Sequence, residues 1–289
     1  MRGTRRLLTS FAIADLTRHN AWMTDVLERI VEDKRREVAA AQQRVSLDEL
    51  KARSGDAPPP RNFFAALTRP KDTLRVIAEV KKASPSAGLI REDFDPVAIA
   101  AAYCDNGAAA ISCLTDEKYF QGSLDDLTRI RQSVPIPVLR KDFIIDPYQL
   151  YESRVAGADA ILLIAEILSE SRMLDLLILA TELKMTTLVE VHEVDSLLKV
   201  RPHVGFPHPG YMLLGINNRD LRSMTTDISH TLRLMDMVEQ PEILVSESGI
   251  KTHQDVKRLQ QAGVHRILVG EHLMRQPDVG AALRQLMTG

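Results

Sequence analysis

Short apolar runs alternate with longer amphipathic stretches along the chain from residue 74 onward. The stretches between the runs often start with Ser, Thr or Asp and end on Gly or Asn, as helix termini prefer. Strands that alternate with helices pair in parallel through right-handed crossovers. Eight runs, each rich in Val, Ile and Leu, predict the strands Arg75–Lys81, Ala110–Leu114, Val138–Phe143, Ala160–Ile167, Thr187–Val191, Met212–Asn217, Ile243–Ser248 and Arg266–Gly270.

Eight strand–helix units in about 215 residues predict a (β/α)8 barrel, also called a TIM barrel, of the α/β class. The alternative is an open, doubly wound sheet. Such sheets commonly carry a glycine fingerprint for nucleotides, but no G-x-G-x-x-G follows the first run and no G-x-x-x-x-G-K-[ST] occurs in the chain. The barrel is therefore the favoured fold.

An extra helical segment precedes the barrel. Apolar residues recur at helical spacing from Trp22 to Val31, and Ser46 begins a second short helix that reaches about Arg53. The stretch SGDAPPPRN then interrupts the chain, since its prolines fit neither a helix interior nor a central strand. We expect N-terminal capping helices over residues 22–54 within one barrel domain, 22–289. Residues 1–21 are interpreted as a disordered extension, with Met23 an alternative start.

Composition excludes several function classes. The formal net charge of −2 gives no electrostatic case for binding nucleic acid or an anionic membrane, and no apolar run reaches the roughly 18 residues of a membrane helix. Cys104 and Cys113 form neither a disulfide framework nor a metal-ligand spacing, which favours a reducing, cytoplasmic setting. The histidines show no H-x-H or H-E-x-x-H pair, so no metal site is predicted.

Charged residues lie at the carboxyl ends of several predicted strands. Glu79 and Lys81 share the parity of Ile77, and alternate side chains of a barrel strand face the lumen. The same face of other strands carries Lys141, Glu166, Glu190, Asn217 and Arg219. One polar strand end is readily explained as a strand entering solvent. Lysines and carboxylates on at least three strands instead favour a catalytic site at the carboxyl-terminal mouth, where barrel enzymes keep their chemistry.

Two glycine-bearing loops follow the seventh and eighth strands, in SESGIKTHQDV and VGEHLMRQPDV. A phosphate group is held at this position in many barrels, and close backbone approach requires glycine. Gly249 and Gly270 therefore indicate a phosphorylated ligand, although glycine as an ordinary turn residue is the alternative.

Seven segments, taken in order, resemble the motifs of the indole-3-glycerol phosphate synthase family: EVKKASPSAGLI, LTDEKYFQGS, VLRKDFIIDPYQ, LVEVHE, GINNRDL, SESGI and ILVGEHLMR. The resemblance extends over about residues 26–287 and includes the N-terminal helical segment. It implies a carboxy-lyase of tryptophan biosynthesis that acts without metal or organic cofactor. The substrate would be 1-(2-carboxyphenylamino)-1-deoxyribulose 5-phosphate, and the products indole-3-glycerol phosphate, CO2 and water.

The resemblance also implies roles for individual residues. Lys141 is the expected acid for ring closure and Glu190 the expected base, with Glu79 assisting; either Lys141 or Lys81 delivers the second proton. Asn217 completes the catalytic set. Residues that contact the substrate would be Ser84, Arg219, Phe120, Phe143, Pro85, Leu162 and Leu221. The phosphate would be held by Lys81, Ser248, Gly249, Gly270 and Glu271.

One departure from the motifs is His272, which stands where relatives usually carry a small residue and would add a pH-dependent charge near the phosphate. For partners, the resemblance implies the phosphorylated small molecule and other tryptophan-pathway enzymes, for a chain that is a monomer or weak dimer. Competing functions are another phosphate-binding barrel, such as a phosphoribosylanthranilate isomerase or a ribulose-phosphate epimerase, and a non-catalytic barrel that binds a phosphometabolite. The retained lysines and glutamates favour catalysis.

Overall fold

The computed structural model describes residues 26–220 and 225–289. The expected extension, Trp22 and Met23 lie outside the described residues. Eight parallel strands close into a barrel in sequence order, with the first strand paired to the eighth. They are β1 Arg75–Val80, β2 Ala110–Leu114, β3 Val138–Lys141, β4 Ala160–Ile164, β5 Thr186–Val191, β6 Met212–Asn217, β7 Leu244–Glu247 and β8 Arg266–Val269. The predicted (β/α)8 fold is confirmed.

Most predicted strands are too long by one to three residues at the carboxyl end. The run Ala160–Ile167, for example, ends as a strand at Ile164, and residues Ala165–Ile167 form a turn of 3-10 helix. In this run Ala165 is buried and Ile167 packs against the core although the ladder has ended, so apolar composition alone overestimates strand length.

Helices surround the barrel and precede it. The first, α1, is helical from residue 26 to residue 44. The others are α2 Leu47–Asp56, α3 Phe63–Thr68, α4 Pro96–Asp105, α5 Glu117–Phe120, α6 Leu124–Ser133, α7 Pro147–Ala156, α8 Glu170–Glu182, α9 Val194–Val200, α10 Ser229–Leu234, α11 His253–Gln261, α12 Glu271–Met274 and α13 Val279–Thr288.

Side-chain caps fix where many of these helices start, as the sequence indicated. The hydroxyl of Ser46 accepts a hydrogen bond from the backbone N–H of Glu49 at the start of α2, and each such cap is worth about 1 kcal/mol. Equivalent caps come from Asp95, Ser123, Asp146, Ser169, Thr252 and Asp278. The predicted chain break is wrong in its first three residues, because Ser54 to Asp56 continue α2 and only the prolines that follow end it.

The core is aliphatic and lies between the barrel and its helices. Strand residues of opposite parity separate as expected: Val76, Ala78 and Val80 belong to the buried apolar cluster, whereas Glu79 and Lys81 line a cavity at the carboxyl-terminal mouth. No helix among the described residues is long and apolar enough to cross a membrane.

Candidate active site

A cavity of about 810 Å³ opens at the carboxyl-terminal mouth of the barrel. This volume suits a drug-sized ligand. Leu221 lies outside the described residues, and all other predicted site residues line the cavity: Glu79, Lys81, Ser84, Pro85, Phe120, Lys141, Phe143, Leu162, Glu190, Asn217, Arg219, Ser248, Gly249, Gly270 and Glu271. Strand ends far apart in sequence therefore meet in one place, and the roles of these residues stay predictions.

Lys141, at the end of β3, is the central cation of the cavity. Its Nζ lies 3.0 Å from Oε2 of Glu190 on β5 and 3.8 Å from Oε2 of Glu247 on β7. The room for the Glu247 carboxyl group comes from Gly215 on β6, which pairs with Glu190 in the sheet. A Cβ on Gly215 would lie 2.1 Å from Oε1 of Glu247, so any larger residue would displace that carboxyl group.

Lys141, Glu190 and Glu247 differ in how their surroundings shift their pKa values. Burial lowers the pKa of Lys141, but its acidic neighbours, the Glu190 carboxylate foremost, raise it more, so the pKa lies above its ordinary value. Burial and the neighbouring Glu190 carboxylate raise the pKa of Glu247 well above the usual range. Burial also opposes the ionisation of Glu190, yet Lys141 and His192 lower its pKa overall.

These directions favour a resting site with an ammonium on Lys141, a carboxylate on Glu190 and a proton on Glu247. Neither oxygen of Glu247 accepts a hydrogen bond from the described donors. This fits a carboxyl group that keeps its own proton and hydrogen-bonds to Glu190. Two buried carboxyl groups so close together cannot readily both ionise.

A second lysine–carboxylate pair stands beside the first. Lys81 Nζ lies 2.6 Å from Oε1 of Glu79, and both side chains are largely buried. Gly270, after β8, gives the Glu79 carboxyl its space, since a Cβ there would lie 2.2 Å from Glu79 Oε1. The φ of Gly270, −127°, lies outside the left-handed region that favours glycine, so its close approach to Glu79 is the constraint that the contacts show.

The loop after β7 has the backbone shape that the glycine signal indicated. Ser248 and Gly249 both take positive φ, at 66° and 77°, and a non-glycine residue in this region is uncommon. Next to it, the Glu271 carboxylate lies 3.5 Å from Arg219 and 2.9 Å from Arg275. A tightly turned, glycine-containing backbone thus lies at the side of the mouth where barrels bind phosphate, beside the ion pairs of Glu271.

His272 lines the cavity at this same side. Burial, followed by the charge of Lys251, lowers its pKa below the ordinary value. The pH-dependent charge expected from sequence would therefore develop only in acid, and His272 is neutral at pH 7.

Aromatic and aliphatic side chains form the opposite wall. The rings of Phe120 and Phe143 are 6.1 Å apart between centroids and tilted by 40°. Helix α1 also contributes Val26, Leu27 and Ile30 to the lining, which makes the N-terminal segment part of the cavity. An apolar wall facing a polar floor suits a ligand with an aromatic ring at one end and charged groups at the other.

The family follows from comparison with known proteins. The indole-3-glycerol phosphate synthase family model matches residues 27–286. The chain belongs to the indole-3-glycerol phosphate synthase family. The synthase of Rhodopirellula baltica is 49% identical over 262 residues, covering 91% of this chain and 98% of that protein. The synthase of Acidithiobacillus ferrooxidans is 48% identical over 269 residues, covering 91% and 99%.

Solved structures with similar folds are more distant in sequence. The 3-hexulose-6-phosphate synthase of Salmonella typhimurium superposes with a TM-score of 0.53 at 14% identity, covering 74% of this chain and 97% of its own. The tryptophan synthase α subunit of Legionella pneumophila gives 0.55 at 12% identity, covering 78% and 97%. At this level of identity the similarity shows the barrel fold alone.

Glu247 and His192 are among the ionisable residues of this synthase-family cavity that were missing from the sequence prediction. Glu247 sits in ILVSES, where a carboxylate within an apolar strand was a usable signal. The Ser-Gly that follows it indicates a phosphate loop instead. His192 follows Glu190 by two residues and so shares its face of β5. That parity was the available signal, but nothing local in the sequence indicated the partner of His192, Glu166, which is 26 residues away.

Proposed function

We propose that this member of the indole-3-glycerol phosphate synthase family converts 1-(2-carboxyphenylamino)-1-deoxyribulose 5-phosphate to indole-3-glycerol phosphate, CO2 and water, with Lys141 as general acid and Glu190 as general base. As a carboxy-lyase of this family it acts in tryptophan biosynthesis. The observation that carries the site assignment is the ammonium of Lys141, 3.0 Å from the Glu190 carboxylate at the floor of the cavity.

Ring closure is the first step. The aryl carbon that bears the carboxylate attacks the ketose carbonyl, a carbon–carbon bond forms, and the carbonyl oxygen must take up a proton to become a hydroxyl group. Lys141 is protonated in the resting site and buried at the mouth of the barrel, so it can supply that proton where charge develops. Removal of such a proton donor typically costs 10²- to 10⁴-fold in rate.

Loss of CO2 is the second step. The electrons of the broken carbon–carbon bond return to the ring and neutralise the iminium formed by the attack. The dehydration that follows has two proton transfers: the hydroxyl group leaves as water after protonation by Lys141 or Lys81, and Glu190 takes the proton that restores the aromatic indole. With the substrate as a carboxylate, the sequence consumes one proton overall.

The two proton-transfer groups are coupled through their ion pair. While Lys141 is charged, its ammonium lowers the pKa of Glu190 and makes that carboxylate a weak base. Once Lys141 has given its proton to the substrate, the positive charge 3.0 Å away is gone and the pKa of Glu190 rises. Glu190 therefore becomes a stronger base at the stage when a base is required.

Substrate binding is assigned by the same proposal. Ser84 and Arg219 would contact the anthranilate carboxylate, since a guanidinium suits carboxylate geometry, and Asn217 would orient the reacting groups. The aromatic ring would lie against Pro85, Phe120, Phe143, Leu162 and Leu221. The phosphate would be held by Lys81, Ser248, Gly249, Gly270 and the backbone of Glu271, at the carboxyl ends of the strands.

The remaining predictions concern the setting of the enzyme. We propose a cytoplasmic enzyme, monomeric or weakly dimeric, that needs no metal or organic cofactor. It binds neither nucleic acid nor membrane, and its protein partners are other enzymes of the tryptophan pathway. The division of the chain into an extension, 1–21, and one barrel domain, 22–289, likewise stays a prediction. The isomerase alternative would place a cysteine at the mouth, whereas Cys104 and Cys113 lie outside the cavity lining.

Turnover by purified protein tests the proposal. Indole fluorescence would be followed after addition of the carboxyphenylamino-deoxyribulose phosphate to wild type, Lys141→Ala, Glu190→Gln and the control Lys118→Ala, whose exposed lysine pairs with Asp33 outside the cavity. We expect wild-type and control turnover, and at least a hundredfold loss in the two site variants. Turnover that survives both site changes would overturn the acid–base assignment, and no product from folded wild type would overturn the function.

A further inference from the structure

A histidine joins two carboxylates at the edge of the cavity. His192 follows the end of β5, and its Nδ1 lies 3.2 Å from Oε2 of Glu166, which follows β4. Its Nε2 lies 3.3 Å from Oε1 of Glu190. The backbone N–H of His192 also donates to Oε1 of Glu166, at 2.8 Å. Glu166 therefore holds both the ring and the main chain of His192.

The protonation state of His192 follows from these contacts. A neutral imidazole has one N–H donor and one lone pair, whereas an imidazolium has two donors. Both ring nitrogens of His192 face carboxylate oxygens, and a lone pair directed at an ionised oxygen would be repelled. The imidazolium is the form that satisfies both contacts.

The other charged and polar groups around His192 are consistent with this state. Lys141 on β3 opposes the charge of His192, and Glu190 lies between them. Lys199 on α9 donates to the carbonyl oxygens of Ala165 and Leu168, on either side of Glu166. His230 on α10 contacts the backbone carbonyl oxygen of His192 rather than its ring. Burial opposes the charge of His192, but Glu166 and Glu190 outweigh it and raise its pKa.

We propose that His192, held by Glu166, is a positioning residue that keeps Glu190 ionised after Lys141 has transferred its proton. This inference rests on the proposed role of Glu190 as base. When Lys141 becomes neutral, Glu190 loses the ammonium 3.0 Å away and faces the protonated Glu247. Without a second cation, Glu190 could capture the Glu247 proton and fail as a base. The His192 imidazolium, which gives up no proton in the cycle, keeps that from happening.

The first test is direct titration of His192. Wild type labelled with ¹⁵N in its histidine rings would be followed by NMR from pH 5 to 9, with His192→Gln used to assign the signal. We expect a doubly protonated ring at neutral pH in wild type. In Glu166→Gln the titration should move to lower pH, by about one unit or more, because an opposite charge within contact distance is removed. A ring that is neutral at pH 7 in wild type would overturn the proposal.

The second test is the pH dependence of kcat/KM. Without the imidazolium, the pKa of Glu190 rises, so the acidic limb of the profile should move to higher pH in His192→Gln, by about one unit. The control is His203→Gln, which removes a similar pair with Glu170, 2.7 Å apart, from a residue that does not line the cavity. The acidic limb of the kcat/KM profile of His203→Gln should stay at its wild-type pH. An unmoved limb in His192→Gln, with wild type active, would refute the inference and leave the proposed function intact.

Discussion

Lys34 is the residue whose removal tests how α1 is fixed to the barrel. Its side chain is 4% exposed, and Nζ lies 2.7 Å from Asp116 and 3.0 Å from Asp142, both of which are buried. Asp142 keeps a second cation, because Arg140 lies 3.0 Å away. Asp116 has no other cationic partner among the described ion pairs. The change Lys34→Met would therefore leave one buried carboxylate uncompensated.

The loss of unfolding free energy in Lys34→Met can be estimated from the two states open to the Asp116 carboxyl group, unpaired or protonated. Breaking a buried ion pair costs about 3 to 5 kcal/mol. The carboxyl can instead take up a proton, which at pH 7 costs about 4 kcal/mol for a group of ordinary pKa near 3.9, at 1.36 kcal/mol per pH unit. We therefore expect Lys34→Met to lower the free energy of unfolding by about 3 to 4 kcal/mol at pH 7. At pH 5 protonation of the carboxyl group limits the loss of unfolding free energy to about 1.5 kcal/mol.

The sign of this pH dependence follows from linkage. In Lys34→Met the folded protein would bury a carboxyl group without its cation and so favour the protonated form, whereas the unfolded chain exposes the same group to water. The unfolded state then binds fewer protons, and the variant loses stability as pH rises above about 4. Wild type has the opposite trend at Asp142. Burial raises the pKa of that carboxyl, but Arg140 and Lys34 lower it well below the usual range. Its contribution is present above about pH 4 and is lost as pH falls further.

Urea unfolding followed by circular dichroism at pH 5 and pH 7 measures the effect. Arg36→Met is the matched control on the same helix, since Arg36 is exposed and pairs with Glu32 at the surface; it should change stability by less than about 0.5 kcal/mol. Adding Asp116→Asn to Lys34→Met should restore much of the loss, because the amide oxygen can still accept from the backbone N–H of Tyr119. A loss no larger than that of the control, or one independent of pH, would refute the reasoning.

Two further changes test the glycine contact and the protonated carboxyl. Gly270→Ala places a Cβ 2.2 Å from Oε1 of Glu79 and should lower kcat/KM by about 10²-fold. Gly55→Ala is the control, because Gly55 has open space around it, and it should leave kcat/KM unchanged. Equal activity of the two variants would contradict the packing argument. Glu247→Gln should raise the free energy of unfolding at pH 8 by about 1 kcal/mol or more. The pKa of Glu247 is raised in the folded protein, so above about pH 4 this group loses its proton more readily in the unfolded chain, and that ionisation favours unfolding of the wild type. The amide can still donate to Glu190, and the gain in urea unfolding should vanish near pH 4; a gain that persists there would contradict a neutral Glu247.

The barrel could be predicted from sequence because its signals are local. Each strand is a short apolar run and most of the helices begin at a side-chain cap, so the alternation of runs and capped stretches was enough to predict the fold. Parity along β1 was equally local, and it placed Glu79 and Lys81 in the cavity. The same reasoning fixed Lys141 and Glu190 on inward faces. It did not supply their 3.0 Å separation, which depends on the closure of the sheet.

Contacts between distant segments could not be predicted in this way. Lys34 meets Asp116 and Asp142 across about 80 and about 110 residues of sequence, and its position in α1 resembles that of any helix-surface lysine. The neutral state of Glu247 depends on its distance from Glu190, which no local pattern encodes. Electrostatic states arise from the assembled site, so they were the part that sequence reasoning could not supply.

The measurement that tests the central claim most directly is a single-turnover comparison of CO2 release with indole formation. Substrate labelled with ¹⁴C in the carboxylate would be mixed with excess Glu190→Gln or Lys141→Ala and quenched over time. The account predicts that Glu190→Gln releases CO2 well before indole fluorescence appears, because only the final proton removal needs the base, and that Lys141→Ala is slow in both. Release of CO2 and indole together in Glu190→Gln, at the wild-type rate, would contradict the assignment of acid and base to separate steps.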